Sequence, residues 1–312
     1  MTRSMTRRKH IAMLTGVVAL SAGVRRAPAQ SARWSSGTER PSLTVPPNAT
    51  DCHHHVYDAR FPASPSATLR PPDASVEDYR QLQRRLGLTR NVVVQPSTYG
   101  IDNRLLVESV QAFGATARGI AMLDATVTAA ELKRLHEAGI RGVRFGTRLP
   151  GGASMEDMVP VADKIAELGW HIQLVSEGDR IVELESLLTK MPVPVVFDHM
   201  GHLPEPAGPE HAAFRVIANL IEKHGAWVKL TGAYILSKIG PPTYADRSRL
   251  ARAYVKLAPE RLVWGSDWPH PTSPGDGKPD DAVLLDLLAD WAPDSKLQAQ
   301  ILVSNPARLY GF

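Results

Sequence analysis

Asp51-Cys52-His53-His54-His55 ends the first apolar run after the N-terminal segment, and Gly265-Ser266-Asp267-Trp268-Pro269-His270-Pro271 follows the last one, Arg261-Leu262-Val263-Trp264. Between them strand-like runs recur at Asn91–Gln95, Arg118–Met122, Gly142–Phe145, His171–Val175, Pro194–Asp198, Trp227–Leu230 and Leu262–Gly265. With the segment entering Asp51–His55 these make eight strands, separated by helical stretches. Gly87, Gly114, Gly139, Gly169, Pro192, Gly225 and Pro259 punctuate the helix ends, as expected where a chain leaves a helix. Ser75 with Asp78, Thr128 with Glu131 and Ser154 with Asp157 are spaced as capping boxes at helix starts. Runs such as Val92-Val93-Val94 are continuously apolar, which suits strands buried on both faces of a parallel sheet. The pattern predicts a single-domain (β/α)8 TIM barrel over residues 49–312. A doubly wound open sheet is the alternative, but no GxGxxG or GxxxxGK[ST] motif supports a nucleotide fold. In a closed barrel the first and last strands are neighbours, so the two polar clusters would meet in one pocket.

The chain has 312 residues, 43% of them hydrophobic, and a formal charge of +4. Residues 1–29 hold six Arg or Lys and no acid, which leaves the remainder at −2. That balance argues against nucleic acid as a partner. Thr6-Arg7-Arg8-Lys9-His10-Ile11, a short apolar stretch to Val24 and Ala27-Pro28-Ala29 read as a twin-arginine signal peptide over 1–29. The expectation is cleavage after Ala29, export by the twin-arginine (Tat) machinery to the periplasm, and no stable membrane insertion afterwards. A basic tail or retained short anchor is the alternative. Residues 30–48, rich in Ser, Arg and Pro, read as an N-terminal arm. Cys52 is the single cysteine, so no intrachain disulfide and no cysteine-built zinc site can form.

Barrel chemistry gathers at the C-terminal ends of the strands. There the sequence places His53 and His55, Gln95 and Ser97, Arg144, His199 with His202 nearby, and Asp267. Alternation along a strand sets His53 and His55 on one face, with Cys52 and His54 on the other. An arginine at a barrel mouth suits bidentate binding of a carboxylate, or else pairs with Asp267 or Glu177. Ser97, Tyr99 and Lys238 are candidates to help Arg144 hold a substrate, and His270 is either a further contact or a loop residue.

The motifs Asp51–Val56, Arg90–Gln95, Gly139–Phe145, Asp198–Gly201, Trp264–Pro271 and Asn305–Tyr310 resemble those of the amidohydrolase-related (amidohydrolase 2) barrel hydrolases. The resemblance covers nearly all of residues 47–312 and falls in the branch of 2-pyrone-4,6-dicarboxylate lactonase and the sugar-lactone hydrolases and isomerases. It implies His53, His55, His199 and Asp267 as the catalytic set, with Arg144 binding substrate. Two departures are visible: Gly232–Lys238 carries no arginine after the seventh strand, and Val175 stands where a tyrosine is expected. Both argue against pyrone dicarboxylate itself and leave a lactone ring bearing one carboxylate.

Metal-dependent members of the superfamily commonly add a lysine or glutamate at the fourth strand and a histidine at the end of the fifth. Here those positions offer Arg144 and the run Gln173-Leu174-Val175-Ser176-Glu177. A two-metal site is therefore not expected, and the preferred reading needs no cofactor. If one zinc were bound, its ligands would be His53, His55 and Asp267, with His199 nearby. The expected reaction is hydrolysis of a carboxylated lactone: Asp267 activates water and the histidine cluster polarises the carbonyl. A lactone isomerase or a decarboxylase using the same site is the enzymatic alternative. An exported, non-catalytic solute-binding protein, built as two lobes, is the alternative of another class.

Overall fold

A computed structural model describes residues 1–2, 31–273, 275 and 277–312. The signal segment expected over 1–29 therefore lies almost entirely outside the described residues. Eight parallel strands follow one another in sequence order: β1 (Thr50–His54), β2 (Arg90–Val94), β3 (Ala117–Ala121), β4 (Ile140–Gly146), β5 (His171–Val175), β6 (Val195–Phe197), β7 (Trp227–Leu230) and β8 (Leu262–Trp264). Each matches a strand expected from the sequence to within a few residues, and helices fill the intervals. One barrel, rather than two lobes or an open doubly wound sheet, is the result. Among the described residues no helix is long and apolar enough to cross a membrane.

The local signals act as physical chemistry requires. Ser75 and Asp78 close a complete capping box, Asp78 N donating to Ser75 Oγ at 3.1 Å and Ser75 N to Asp78 Oδ2 at 3.0 Å. At Ser154 the hydroxyl instead accepts from Glu156 N at 3.3 Å. Gly87 ends the first helix in the left-handed conformation, φ 76° and ψ 18°, which costs a residue without a Cβ little.

Alternate residues of the strands divide between two layers. Val93, Val143, Phe145 and Leu230 pack outward into the helical shell. Cys52, Val92, Val94, Ile120, Val196 and Val263 fill the barrel interior below the site. β1 breaks this alternation. Asp51 pairs with Asn91 but His54 pairs with Val93, three steps on one strand against two on its neighbour. Such a bulge turns two successive residues to one face. Cys52 and His53 therefore both face inward, correcting the alternation that put Cys52 with His54. His54 points out and stacks on Tyr79, ring centroids 3.6 Å apart.

β1 and β8 close the barrel through their polar ends. Asp267 N donates to His53 O at 2.7 Å and His55 N to Trp268 O at 2.8 Å. Buried Asp51 accepts from Ser266 N (3.0 Å), Ser266 Oγ (2.5 Å), His53 N (3.0 Å) and Tyr79 Oη (3.0 Å). The close approach needs Gly265, where a Cβ would fall 2.6 Å from His53 Cβ and 2.8 Å from His53 N. The arm before β1 is strapped to the barrel. Arg85 donates to the carbonyls of Ser36, Gly37 and Glu39, and Trp268 Nε1 donates to Arg33 O at 2.8 Å.

Candidate active site

At the C-terminal ends of the strands lies a pocket. Its polar wall includes His55, Ser97, Arg144, Arg148, His199, His202 and Asp267, opposed by Met122, Leu149, Val175 and Ile235. Asp267 and His199 are placed by turns that depart from ordinary backbone geometry. Asp267 has φ 66°, and His199, Met200 and His202 have φ 51°, 56° and 46°. Left-handed conformations cost L-residues of order 1–3 kcal/mol each and collect at functional sites. Here the fully buried Met200 side chain and the 3.3 Å bond from Tyr254 Oη to Met200 O hold the turn after β6.

The four residues expected to form the catalytic set converge. Asp267 Oδ1 lies 3.4 Å from His53 Nε2 and 3.5 Å from His55 Nε2. The His53 ring centroid is 5.0 Å from that of His55 and 4.8 Å from that of His199. Asp267 Oδ2 accepts from Tyr234 Oη at 2.6 Å. His53 is wholly buried and does not reach the pocket wall, whereas His55, His199 and Asp267 do. His55 Nδ1 donates to Val94 O at 2.7 Å, which leaves Nε2 facing Asp267.

Beneath them lies a second layer of buried charge. Asp198 Oδ2 accepts from Arg144 Nε at 3.0 Å and from Gln173 Nε2 at 3.0 Å. Its Oδ1 lies 3.3 Å from His53 Nδ1 and 3.6 Å from Lys229 Nζ. Lys229, with no exposed surface, donates to Cys52 O at 2.8 Å and approaches His53 Nδ1 to 3.3 Å.

The electrostatics follow from burial and pairing. Burial opposes the charge on Asp267, but His199, His55 and His53 more than offset it and hold the carboxyl well below its ordinary range. Asp198 is likewise ionised, since His53, Lys229 and Arg144 outweigh its burial. Burial drives His199 down to about 4 despite Asp267 and Asp198, and lowers Lys229 to about 8 with Asp198 opposing. The pocket therefore presents an anionic base and neutral His199 and His202 imidazoles at neutral pH.

The expected substrate contacts divide. Ser97 and Arg144 line the pocket, and Arg144 pairs with Asp198 rather than with Asp267 or Glu177. Tyr99 is turned away, accepting from Asp58 N at 2.8 Å and donating to Asp58 O at 3.2 Å. Lys238 is exposed on a turn where its backbone N donates to Asp246. His270 is fully buried behind the wall, bonded through Nε2 to Asp281 at 3.0 Å and edge-on to Tyr234 at 5.0 Å. It packs against Tyr234 and does not line the pocket.

Asp198, Gln173, Lys229, Tyr234 and Arg148 belong to the site without having been singled out. A lysine inside the apolar run Trp227-Val228-Lys229-Leu230 was a readable signal, because an unpaired ammonium is costly in a core. Nothing local marks Tyr234 or Arg148. Facing donor atoms of His53, His55 and Asp267 lie within 4.8 Å of one another, as do those of His53, Asp198 and His199. By position, the first group can hold a single divalent ion with coordination sites left open.

A parallel eight-stranded barrel with a His–Asp cluster at the C-terminal mouth is the architecture of a barrel hydrolase. The sequence profile described as "Amidohydrolase" matches residues 50–312, and the chain belongs to that family. It is 37% identical over 289 residues to a 2-pyrone-4,6-dicarboxylate hydrolase of Comamonas testosteroni, covering 89% of this chain and 94% of the relative. It is 37% identical over 278 residues to a 4-sulfomuconolactone hydrolase of Rhizobium radiobacter, covering 86% and 92%. A D-galactarolactone isomerase of Agrobacterium fabrum is 33% identical over 285 residues, covering 89% and 96%.

Proposed function

We propose that the protein hydrolyses a lactone carrying one carboxylate. The observation that carries this reading is Asp267, an ionised carboxylate on the pocket wall bracketed by His53, His55 and Tyr234. Water attacks the ring carbonyl carbon as its proton passes to Asp267 Oδ1. Imidazole N–H groups of the pocket, His199 foremost, stabilise the oxyanion. Collapse breaks the ring C–O bond, and the leaving alkoxide takes the proton back from Asp267, giving a hydroxy acid. Arg144 and Arg148 supply positive charge on the same wall for the substrate carboxylate. The lactone-hydrolase relatives support the reaction class.

We further propose that turnover needs no metal. A divalent ion would be held by His53, His55 and Asp267, and would supply Lewis-acid polarisation and a more acidic water. Arg144 and Lys229, two cations within the same buried network, oppose a third. A screen of carboxylated lactones by pH-indicator assay, with chelator and with added zinc, tests both statements. Activity lost on chelation and restored by zinc would overturn metal independence, and no acid release from any carboxylated lactone would overturn hydrolysis.

The isomerase relative favours one second reading, transfer of a lactone acyl group between hydroxyls of one substrate. Product NMR separates the two, since isomerisation releases no acid. We also propose export by the twin-arginine machinery, resting on Arg7-Arg8-Lys9 and Ala27-Pro28-Ala29; an intact Met1 on the soluble protein would refute cleavage.

A further inference from the structure

Lys229 lies at the bottom of the site, out of reach of any substrate, and none of the proposed chemistry uses it. It projects from the middle of β7 into the barrel interior, where apolar side chains such as Val94, Val196 and Val263 lie below the buried charges around Asp198. A buried ammonium in such surroundings must be held by acceptors. Asp198 Oδ1 lies 3.6 Å away, and two hydrogen-bond acceptors are given by the fold, Cys52 O at 2.8 Å and His53 Nδ1 at 3.3 Å. Both come from the bulged part of β1, so the bulge that turns His53 inward also presents its Nδ1 to Lys229.

The His53 ring is thereby set between opposite charges. Nδ1 faces the ammonium, and Nε2 faces Asp267 Oδ1 at 3.4 Å. With the proton on Nε2, the ring accepts from Lys229 and donates toward Asp267. With the proton on Nδ1, an N–H would point at an ammonium and a lone pair at a carboxylate. Asp198 Oδ1, 3.3 Å from Nδ1, favours the second arrangement; neither it nor His53 Nε2 has a hydrogen-bond partner.

We propose that Lys229 is a positioning residue that fixes His53 in its Nε2–H tautomer, so that the N–H is turned to the side of the Asp267 carboxylate. This deepens the hydrolase reading, on which its catalytic consequence rests. Asp267, bonded on Oδ2 by Tyr234, then faces a polar N–H 3.4 Å from Oδ1, which favours its charged form for proton abstraction. The same tautomer sets the two β1 histidines apart. His55 is held differently, donating through Nδ1 to Val94 O. His53 has a proton where a metal would need a lone pair, so a metal could use it only if the proton moved to Nδ1 and turned toward Asp198. Lys229 opposes that shift.

The test is 15N NMR of the intact protein labelled at histidine, at neutral pH without metal, with His53 assigned from the signal lost in His53→Gln. Wild type is expected to carry the proton on Nε2. Lys229→Met, similar in volume and without donor or charge, should move it to Nδ1, facing Asp198. In the same variant kcat should fall about 10–100-fold, the range for outer groups that orient a reacting one, with KM little changed. Zinc affinity, read by competition with a chromophoric chelator, should rise by about 10-fold or more. A wild-type spectrum with the proton on Nδ1 overturns the proposal, as does a folded Lys229→Met that keeps Nε2–H. Should that variant fail to fold, the wild-type spectrum still decides the tautomer. None of the spectra requires turnover, so a failure to find a hydrolysed lactone would reject the function and leave the tautomer standing.

Discussion

Gly265→Ala places one methyl group at the seam where the barrel closes. The new Cβ would lie 2.6 Å from His53 Cβ, 2.8 Å from His53 N and 3.1 Å from His53 Cα. Comfortable carbon contacts need about 3.5–4.0 Å, so β8 and β1 must separate by roughly 1 Å. Neither partner can give locally, since two of the opposing atoms are backbone. His53 N is bonded to Asp51 Oδ1 at 3.0 Å, and His53 O accepts from Asp267 N at 2.7 Å. Overpacking of this kind costs about 1–3 kcal/mol. At about 2–4 °C per kcal/mol for a domain of this size, Tm should fall by roughly 2–12 °C. Activity should suffer more, because Asp267 sits two residues beyond the displaced atom, and a 1 Å misplacement near reacting groups can cost about 10²-fold. Differential scanning calorimetry and initial-rate measurements well below the transition separate the two effects. Wild-type kcat together with a Tm shift under 1 °C would refute the claim that the seam positions the base.

Asp267→Asn should reduce kcat by about 10²–10⁴-fold with KM near its original value; wild-type turnover would reject Asp267 as the base. Tyr234→Phe removes a donor to ionised Asp267, an interaction of about 1.5–3 kcal/mol, so kcat should drop and the acid limb of the rate profile should move up in pH. An unmoved limb would exclude Tyr234 from holding the base. Arg144→Met takes a counter-ion from buried Asp198 and should destabilise by about 3–5 kcal/mol as well as raise KM, readable by urea unfolding. Burial raises Asp51 to about 6, against hydrogen bonds from Ser266, His53 and Tyr79. Because the folded value exceeds the unfolded one, this stability is present in full below about pH 4 and is lost as pH rises through about 6. The loss is worth about 3 kcal/mol. Asp51→Asn cannot ionise, so the difference in unfolding free energy between it and wild type should change by that amount from pH 4 to 7; a constant difference would sink the assignment.

The eight strands, their parallel order and the meeting of His53, His55, His199 and Asp267 were legible in the amino-acid sequence. Continuous apolar runs, helix-ending glycines and polar residues at strand ends are local patterns, and closure of a barrel is their topological consequence. Side-chain direction was less accessible. Alternation put Cys52 opposite His53, but a bulge depends on how β1 registers against β2, a relation between strands distant in sequence. Tyr99, Lys238 and His270 have suitable chemistry, yet Asp58, solvent and Asp281 respectively claim them.

By itself the sequence determined the barrel, the family and the identity of the residues at its mouth, because periodicity and motif spacing are written along the chain. Only the tertiary structure decided which of those residues line the pocket and which hold one another. Arg144 leans on Asp198, Lys229 on His53 and Tyr234 on Asp267, and each pair joins different elements of the barrel. Charge pairing in a buried interior depends on distance through space, which no local pattern encodes.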